Sequence, residues 1–220
     1  MKRIFTLFAA ALIVGVFHAG AAVNIIPKPT AVTEYEGAWT LPSELTISYS
    51  HKTLAPAAGY LEEILAPATG YGIKTKKGTK GDIRLVLTTP SADLDESYTL
   101  LSGPDGVTIT SASYKGIIHG ISTLRQLLPY QIECKSLLRG VEWKVPAVKV
   151  EDKPAYEWRG LMLDPVRHFY SIEETKDLLD LMALYKFSKF HWHLIDSQAW
   201  RNEIKKYPLL TSKGAWRDHA

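Results

Sequence analysis

The chain has 220 residues, 46% hydrophobic and 22% charged, with 26 Lys and Arg against 23 Asp and Glu for a formal net charge of +3. This balance excludes a disordered or low-complexity chain, and it lacks the clustered basic excess with which a nucleic-acid binder neutralises phosphates. Cys134 is the single cysteine, so no internal disulfide and no cysteine-based zinc knuckle can form, and collagen, coiled-coil and multi-span membrane architectures are excluded by the same composition.

The chain opens on a targeting pattern. Lys2 and Arg3 precede an apolar run over residues 4–17, and Ala19, Gly20 and Ala21 then supply the small residues that signal peptidase reads. Residues 1–22 are therefore expected to be a cleaved signal peptide, leaving Ala22 or Val23 at the mature N-terminus and placing the protein outside the cytoplasm, periplasmic or secreted. The alternative, a membrane anchor, needs a longer run than this one to cross a hydrocarbon core of ~30 Å. Removing Lys2 and Arg3 takes the net charge from +3 to +1, because residues 1–22 hold no acid.

Residues 23–150 have the texture of an α+β domain. Pro27 and Pro29 bias residues 25–29 to an extended lead-in strand. Residues 45–49 alternate apolar and polar, as a half-buried strand does. Leu54, Ala58, Leu61 and Leu65 fall at helical spacing and meet Pro67 and Gly70 as stop signals. Residues 83–87 read as a strand, and residues 98–101 and 107–110 flank Pro104, Asp105 and Gly106 as a hairpin. Ser113 to Leu128 forms a second helix closed by Pro129. The order gives a small sheet with helices on one face. Nothing in it looks catalytic, with His51 and His119 each standing alone.

After Val150 the composition shifts: four of the six Trp (158, 192, 200, 216) and four of the seven His (168, 191, 193, 219) lie in residues 151–220. Residues 158–164 form a mostly apolar strand ending in Asp164. Ser171 and Glu174 make a capping box, in which each side chain satisfies the other residue's orphan N–H. Leu178, Leu179, Met182 and Tyr185 then give a helix one apolar stripe. Residues 190–196 form a second apolar strand ending in Asp196. Strand, helix and strand make a βαβ unit with parallel pairing, and the near-continuous apolarity fits a sheet buried on both faces.

Both strands place polar residues at their C-terminal ends, where a β/α barrel builds its active site. The first delivers Asp164, Arg167 and His168; the second delivers His193, Asp196, Gln198 and Trp200. Arg159 lies early in an apolar strand, so its guanidinium must be paired or must face a polar cavity. The structural alternative for Arg159 is an ion pair with Asp164 or Glu157.

These residues carry a family resemblance. Trp158-Arg159-Gly160, Asp164, Arg167-His168-Phe169, and then His191-Trp192-His193, Asp196, Gln198 and Trp200-Arg201 resemble the start of the catalytic domain of the family-20 glycoside hydrolases, the β-N-acetylhexosaminidases. Residues 25–29, Glu96-Ser97-Tyr98, Gly116 to Gly120 and residues 123–128 resemble that family's non-catalytic N-terminal domain. The resemblance implies an α+β domain over residues 23–150, followed over residues 151–220 by the start of a (β/α)8 TIM barrel, here truncated. The implied activity is removal of terminal non-reducing N-acetylglucosamine or N-acetylgalactosamine from glycans. In the family the arginine matching Arg159 binds sugar hydroxyls. The substrate's own 2-acetamido oxygen attacks the anomeric carbon, an exception to the two-carboxylate scheme, while a Glu acts as acid/base and its Asp neighbour orients the acetamido group.

Two departures stand out. Ser197 replaces the family's usual second Asp, and Ala199 a common Gly. No Asp-Glu dipeptide occurs in residues 151–220, so the catalytic pair is expected beyond Ala220 and the chain alone is expected to be inactive. The expected substrate-binding set is Arg159, Asp164, Arg167, His168, His193, Asp196, Gln198 and Trp200, with no metal and no cofactor. The expected partner is a glycan bearing a terminal N-acetylhexosamine, with no nucleic acid, and with no membrane once the leader is removed. Two alternatives are a metal-dependent amidohydrolase-like barrel, with His191 and His193 on one strand face as ligands, and a non-catalytic carbohydrate-binding protein with its Trp residues as stacking platforms.

Overall fold

The computed structural model describes residues 23–88 and 95–217. The expected leader and His219 lie outside them. Seven strands form one mixed sheet: β1 (Ala31–Thr40), β2 (Glu44–Tyr49), β3 (Gly72–Lys77), β4 (Ile83–Leu87), β5 (Tyr98–Gly103), β6 (Gly106–Ser111) and β7 (Lys144–Asp152). Their order is β1-β7-β5-β6-β4-β2-β3. The half from β1 to β6 is antiparallel, and β6, β4, β2 and β3 run parallel. Leu85, Ile109, Leu100 and Val150 pair in register across four strands, and all four are fully buried.

Helices α1 (Ala55–Thr69) and α2 (Tyr114–Leu127) close this face, adding Ala57, Leu61 and Leu65 from α1 and Ile117, Ile121 and Leu124 from α2 to one core. Each fully buried Leu or Ile contributes on the order of 1.5–3 kcal/mol. Ser113 caps α2, its hydroxyl accepting the Gly116 N–H at 3.1 Å. The helix lies close on the sheet because of two glycines. A Cβ at Gly116 would overlap Ser111 Oγ and Ser97 O, and one at Gly120 would overlap Ile109 Cγ2. That close approach brings His119 against β5.

Several expectations are corrected. Residues 25–29 form no strand, since two prolines cannot donate to a ladder. Instead the Gln126 side chain takes both backbone groups of Ile26, accepting its N–H and donating to its carbonyl, each at 2.8 Å. Pro67 does not stop α1. Lying in the last turn it removes a single bond, and the helix ends at Gly70, whose φ of +64° is the left-handed cap. Strands β1, β3 and β7 are additions to the sequence reading, and for β1 and β3 their place at the sheet edges explains why. β3 is almost wholly exposed, with Lys74, Lys76 and Lys77, and β1 is broken by a bulge between Glu34 and Ala38, so neither shows the alternation of a half-buried strand.

Beyond β7, strands β8 (Gly160–Leu163) and β9 (Lys189–Trp192) pair in parallel through α3 (Ile172–Leu184). The capping box is present, Ser171 Oγ accepting the Glu174 N–H at 3.1 Å and Glu174 accepting the Ser171 N–H at 2.7 Å. The second strand is shorter than expected. It ends at Trp192, and the chain turns into a small hairpin of β10 (Ile195–Asp196) and β11 (Ala199–Trp200), followed by the short helix α4 (Leu209–Ser212). The expectation of burial on both faces is not met either, for Met162 is 55% and Trp192 40% exposed. The described residues thus hold one βαβ unit rather than a closed barrel.

The unit sits on α2 through polar contacts. Arg125 reaches Asp180 of α3 at 2.8 Å, Ser122 Oγ donates to Ala183 O at 2.8 Å, and Gln126 Nε2 donates to Leu184 O at 3.0 Å. Lys186, just past α3, is 3% exposed and pairs with Asp152 at 2.9 Å. Its φ of 60° lies in the left-handed region.

Candidate functional site

The C-terminal ends of β8 and β9 do converge. Asp164 ends the first strand in a turn, accepting the Val166 N–H at 3.0 Å, the Arg167 N–H at 3.2 Å and the Arg167 guanidinium at 2.9 Å. The other terminal nitrogen of Arg167 lies 2.7 Å from Asp196 Oδ2. His193 Nε2 lies 3.0 Å from the same oxygen, and the Ser197 N–H donates to Asp196 Oδ1 at 2.6 Å. Arg167 therefore bridges two carboxylates, one from each strand end. Desolvation alone would raise the Asp164 carboxyl, but the N–H groups of Arg167 and Val166 and the guanidinium outweigh it and hold it below the ordinary range. The Ser197 N–H first, then His193, with the Arg167 charge adding to them, bring Asp196 down to about 2. Both are charged at neutral pH, and so paired they are acceptors for hydroxyl or amide N–H groups rather than proton donors.

Ser197 occupies the turn of the β10–β11 hairpin, contributing its backbone N–H to Asp196. Gln198, in the same turn, is exposed. Trp200 is fixed by its backbone N–H, which donates to Gly214 O at 2.9 Å, and by its indole N–H, which donates to Asn202 O. His168 is exposed and stacks edge-on against Tyr170, with ring centroids 5.0 Å apart.

Arg159 lies apart from this cluster, just before β8 at its opposite end. It is paired, as burial demands, but with neither Asp164 nor the Glu157 carboxylate. Its terminal nitrogens donate to the Glu96 carboxylate and, at 2.6 Å, to Tyr156 O, and its Nε donates to Lys186 O at 2.7 Å. Glu96 precedes β5, and its Oε2 also lies 3.0 Å from His119 Nε2. His119 is thus not solitary, a correction that only the folded chain supplies, since Glu96, His119 and Arg159 are 23 and 40 positions apart. Arg159, Glu96, Tyr156 and Glu157 border a cavity of about 410 Å³. Arg201 was also missed. Its side chain donates to Pro165 O at 3.2 Å and Ala215 O at 2.6 Å and lies over the Phe169 ring, fastening the loop after Asp164.

The metal-centre alternative finds no ligand set here. The His191 and His193 rings are 5.8 Å apart and edge-on, His193 is engaged by Asp196, and among the described residues no three His, Cys, Asp or Glu side chains are placed to hold an ion. No helix among them is long and apolar enough to cross a membrane.

Comparison with known proteins follows the same division of the chain. The family model "Glycosyl hydrolase family 20, domain 2" matches residues 22–153, and "Glycosyl hydrolase family 20, catalytic domain" matches residues 156–220. A beta-hexosaminidase of Porphyromonas gingivalis is 38% identical over 198 residues, which cover 89% of this chain and 25% of that protein. A beta-N-acetylhexosaminidase of Cellulomonas fimi is 31% identical, covering 88% of this chain and 38% of that one. Among solved structures, Streptomyces plicatus N-acetyl-beta-hexosaminidase in complex with Thio-NAglucal superposes with a TM-score of 0.77 at 40% identity, covering 86% of this chain and 38% of its own. The chain thus spans between a quarter and two-fifths of the length of these relatives. With both of its parts matched by that family's models, in the family's order and over nearly all the described residues, the chain belongs to glycosyl hydrolase family 20.

Proposed function

We propose that this chain is part of an exported β-N-acetylhexosaminidase, which hydrolyses terminal non-reducing N-acetylglucosamine or N-acetylgalactosamine from glycans. The observation that carries the reading is the pairing of Asp164 and Asp196 through Arg167 at the C-terminal ends of two parallel strands, in a segment matched by the family's catalytic-domain model. Two ionised acceptors held by fixed donors suit the hydroxyl and acetamido groups of a neutral sugar. In this reading residues 1–22 are the leader, residues 23–150 the supporting domain and residues 151–220 the first part of a (β/α)8 barrel. Asp164, Arg167, His168, His193, Asp196, Gln198 and Trp200 line the sugar site, while Arg159, expected in the same set, lies at the opposite end of β8 and is engaged by Glu96. Bond cleavage is assigned to an acid/base Glu and its Asp neighbour outside residues 151–220, so the residues described here bind and orient.

The test is to express the coding region with the reading frame that follows codon 220 and assay a chromogenic N-acetylglucosaminide. The expected result is turnover, with kcat/KM lowered at least about tenfold by Asp196→Ala, which is about 1.4 kcal/mol of transition-state stabilisation. A product without such activity, or one in which Asp164→Ala and Asp196→Ala both leave the kinetics unchanged, overturns the reading.

A further inference from the structure

The cavity of about 410 Å³ at the foot of β8, on whose wall Arg159 and Glu96 pair, is also lined by three lysines. Lys115 comes from the first turn of α2, Lys153 follows the end of β7, and Lys189 opens β9. Among the described residues none of these three ammonium groups enters an ion pair. Lys189 Nζ is seated over the Trp158 ring, 5.8 Å from its centroid.

The charge around this cavity does not cancel. Arg159 is spent on Glu96, and although burial alone would raise the Glu96 carboxyl, His119 and Arg159 outweigh it and keep it ionised. The other carboxylate of the lining is Glu157, which is exposed and enters no ion pair among the described residues. Asp95 senses the Lys153 charge from outside the lining, but its carboxylate is held first by Ser97. Four cations thus face two carboxylates, an excess of two positive charges. In a concave site with low-dielectric walls such an excess is focused rather than dispersed, and it draws a counter-ion. Lys115 also stands where the α2 macrodipole is positive.

The residue type narrows the anion. Arginine offers a flat fork that matches a carboxylate, whereas lysine meets oxygen as a compact point charge from any direction. Lysines from three separate elements suit a tetrahedral group with oxygens on every side. The cavity is larger than one such group, and Tyr156, 76% exposed on its rim, offers a ring to the organic part of an ester.

We propose that this cavity binds a dianionic tetrahedral oxyanion of the phosphate type, free or as a monoester, and that the bound anion ties α2 to the start of β9 across the seam. The site uses none of the strand-end residues, so it stands or falls apart from the hexosaminidase reading.

The experiment is an NMR titration of the 220-residue protein with inorganic phosphate and, separately, with phenyl phosphate, at a pH that leaves both dianionic and with ionic strength held constant by sodium chloride. The amides of Lys115 and Lys189 should shift together and saturate with a midpoint at or below about 1 mM. Lys153→Gln and Lys189→Gln should each weaken binding about threefold, the scale of an exposed ion pair, and together about tenfold. Glu157→Gln, which removes the unpaired carboxylate, should tighten it. Lys74→Gln with Lys76→Gln takes the same charge from the exposed β3 edge and should leave the midpoint unchanged. Tighter binding of phenyl phosphate makes the ligand an ester; equal or weaker binding makes it the free anion. Shifts that do not saturate, a midpoint unmoved in the Lys153→Gln and Lys189→Gln double variant, or an equal loss in the β3 variant overturns the site. The tie across the seam has its own readout, for saturating phosphate should raise the Tm of the wild type by linkage and that of the double variant by much less. An equal rise in both overturns the tie.

Discussion

Removing the ammonium of Lys186 probes the polar seam between the two halves most directly. Lys186 Nζ lies 2.9 Å from Asp152 Oδ2 and 2.8 Å from the Tyr98 hydroxyl, which in turn lies 2.6 Å from Thr123 Oγ1. The residue follows the C-terminus of α3 with a φ of 60°, a place where glycine is the usual occupant and an L-residue costs about 1–2 kcal/mol. What its head reaches explains a lysine there. Lys186→Met keeps the stem and the backbone but strands the Asp152 carboxylate, whose side chain is 10% exposed. Truncating one partner of a buried pair costs about 3–5 kcal/mol. Asp152 keeps two donors, the Tyr98 hydroxyl at 3.0 Å and the Thr30 N–H at 3.3 Å, so the lower end, about 3 kcal/mol, is expected.

Urea unfolding followed by tryptophan fluorescence measures this as a fall in midpoint at unchanged slope. The double variant Lys186→Met with Asp152→Asn should cost less than the sum of the single changes, by about 1–3 kcal/mol, because it leaves no uncompensated charge. The pH dependence has a definite sign. Burial alone would raise the Asp152 carboxyl, but Lys186 outweighs it and holds the carboxyl below its ordinary value. The stability from a depressed carboxyl is complete above its unfolded pKa and is lost as pH falls through the folded one. The gap between wild type and Lys186→Met should therefore narrow in acid. A Lys186→Met protein within about 0.5 kcal/mol of wild type, the range of an ordinary surface change, would refute the reasoning, as would a strictly additive cycle.

Three further outcomes follow from the site and the sequence. Carbon-detected titration of Asp196 should give a midpoint near pH 2, its stabilising contribution present above about pH 4 and lost as pH falls toward 2; a midpoint at or above 4 would mean that Arg167, His193 and the Ser197 N–H do not hold it. The 220-residue protein should release no measurable aglycone from a chromogenic N-acetylglucosaminide and should self-associate through exposed Trp158, Met162, Trp192 and Trp216; turnover abolished by Asp196→Asn would relocate the acid to this chain. N-terminal sequencing of the exported product should begin at Ala22 or Val23, and a cytoplasmic product that retains Met1 would overturn the leader assignment.

Legibility in the sequence followed apolar patterning rather than burial, for β8 and β9 were readable though partly exposed, while β7 was not although Val145, Val148 and Val150 are fully buried. β2, β4, the β5–β6 hairpin, α2 and the β8–α3–β9 unit carry apolar side chains at the spacing of their own period, and each was readable. β1 and β3 were not, because an edge strand protects itself with charge or a bulge and so lacks the pattern that announces a strand. In the site, Asp164, Arg167, His193 and Asp196 were legible because strand ends in a parallel βαβ unit come together by topology. Arg159 showed that it needed a partner but not which one, since its acceptor came from residue 96, across a separation that no local pattern spans. His119 was illegible for the same reason: a histidine between two glycines announces close helix packing, and only the fold shows the carboxylate beneath it.

The composition of the seam sets what each half can do to the other. Among the described residues, the apolar core built on the seven-stranded sheet comprises residues up to Val150, while Val166, Met182, Leu184 and Ala199 of the second unit are buried as well. What joins the two is directional: Arg125 to Asp180, Lys186 to Asp152, Arg159 to Glu96, and the Ser122 and Gln126 side chains to the last carbonyls of α3. Apolar contact tolerates sliding, because its energy scales with area, whereas a hydrogen bond weakens steeply with angle and distance. A seam of charged hydrogen bonds therefore fixes the orientation of β8 and β9 on the sheet more sharply than an apolar seam of equal area would. Substitutions inside the first core should lower stability while leaving Asp164, Arg167 and Asp196 in register. Substitutions at Glu96, Asp152 or Asp180 act on the placement of the strands that carry them.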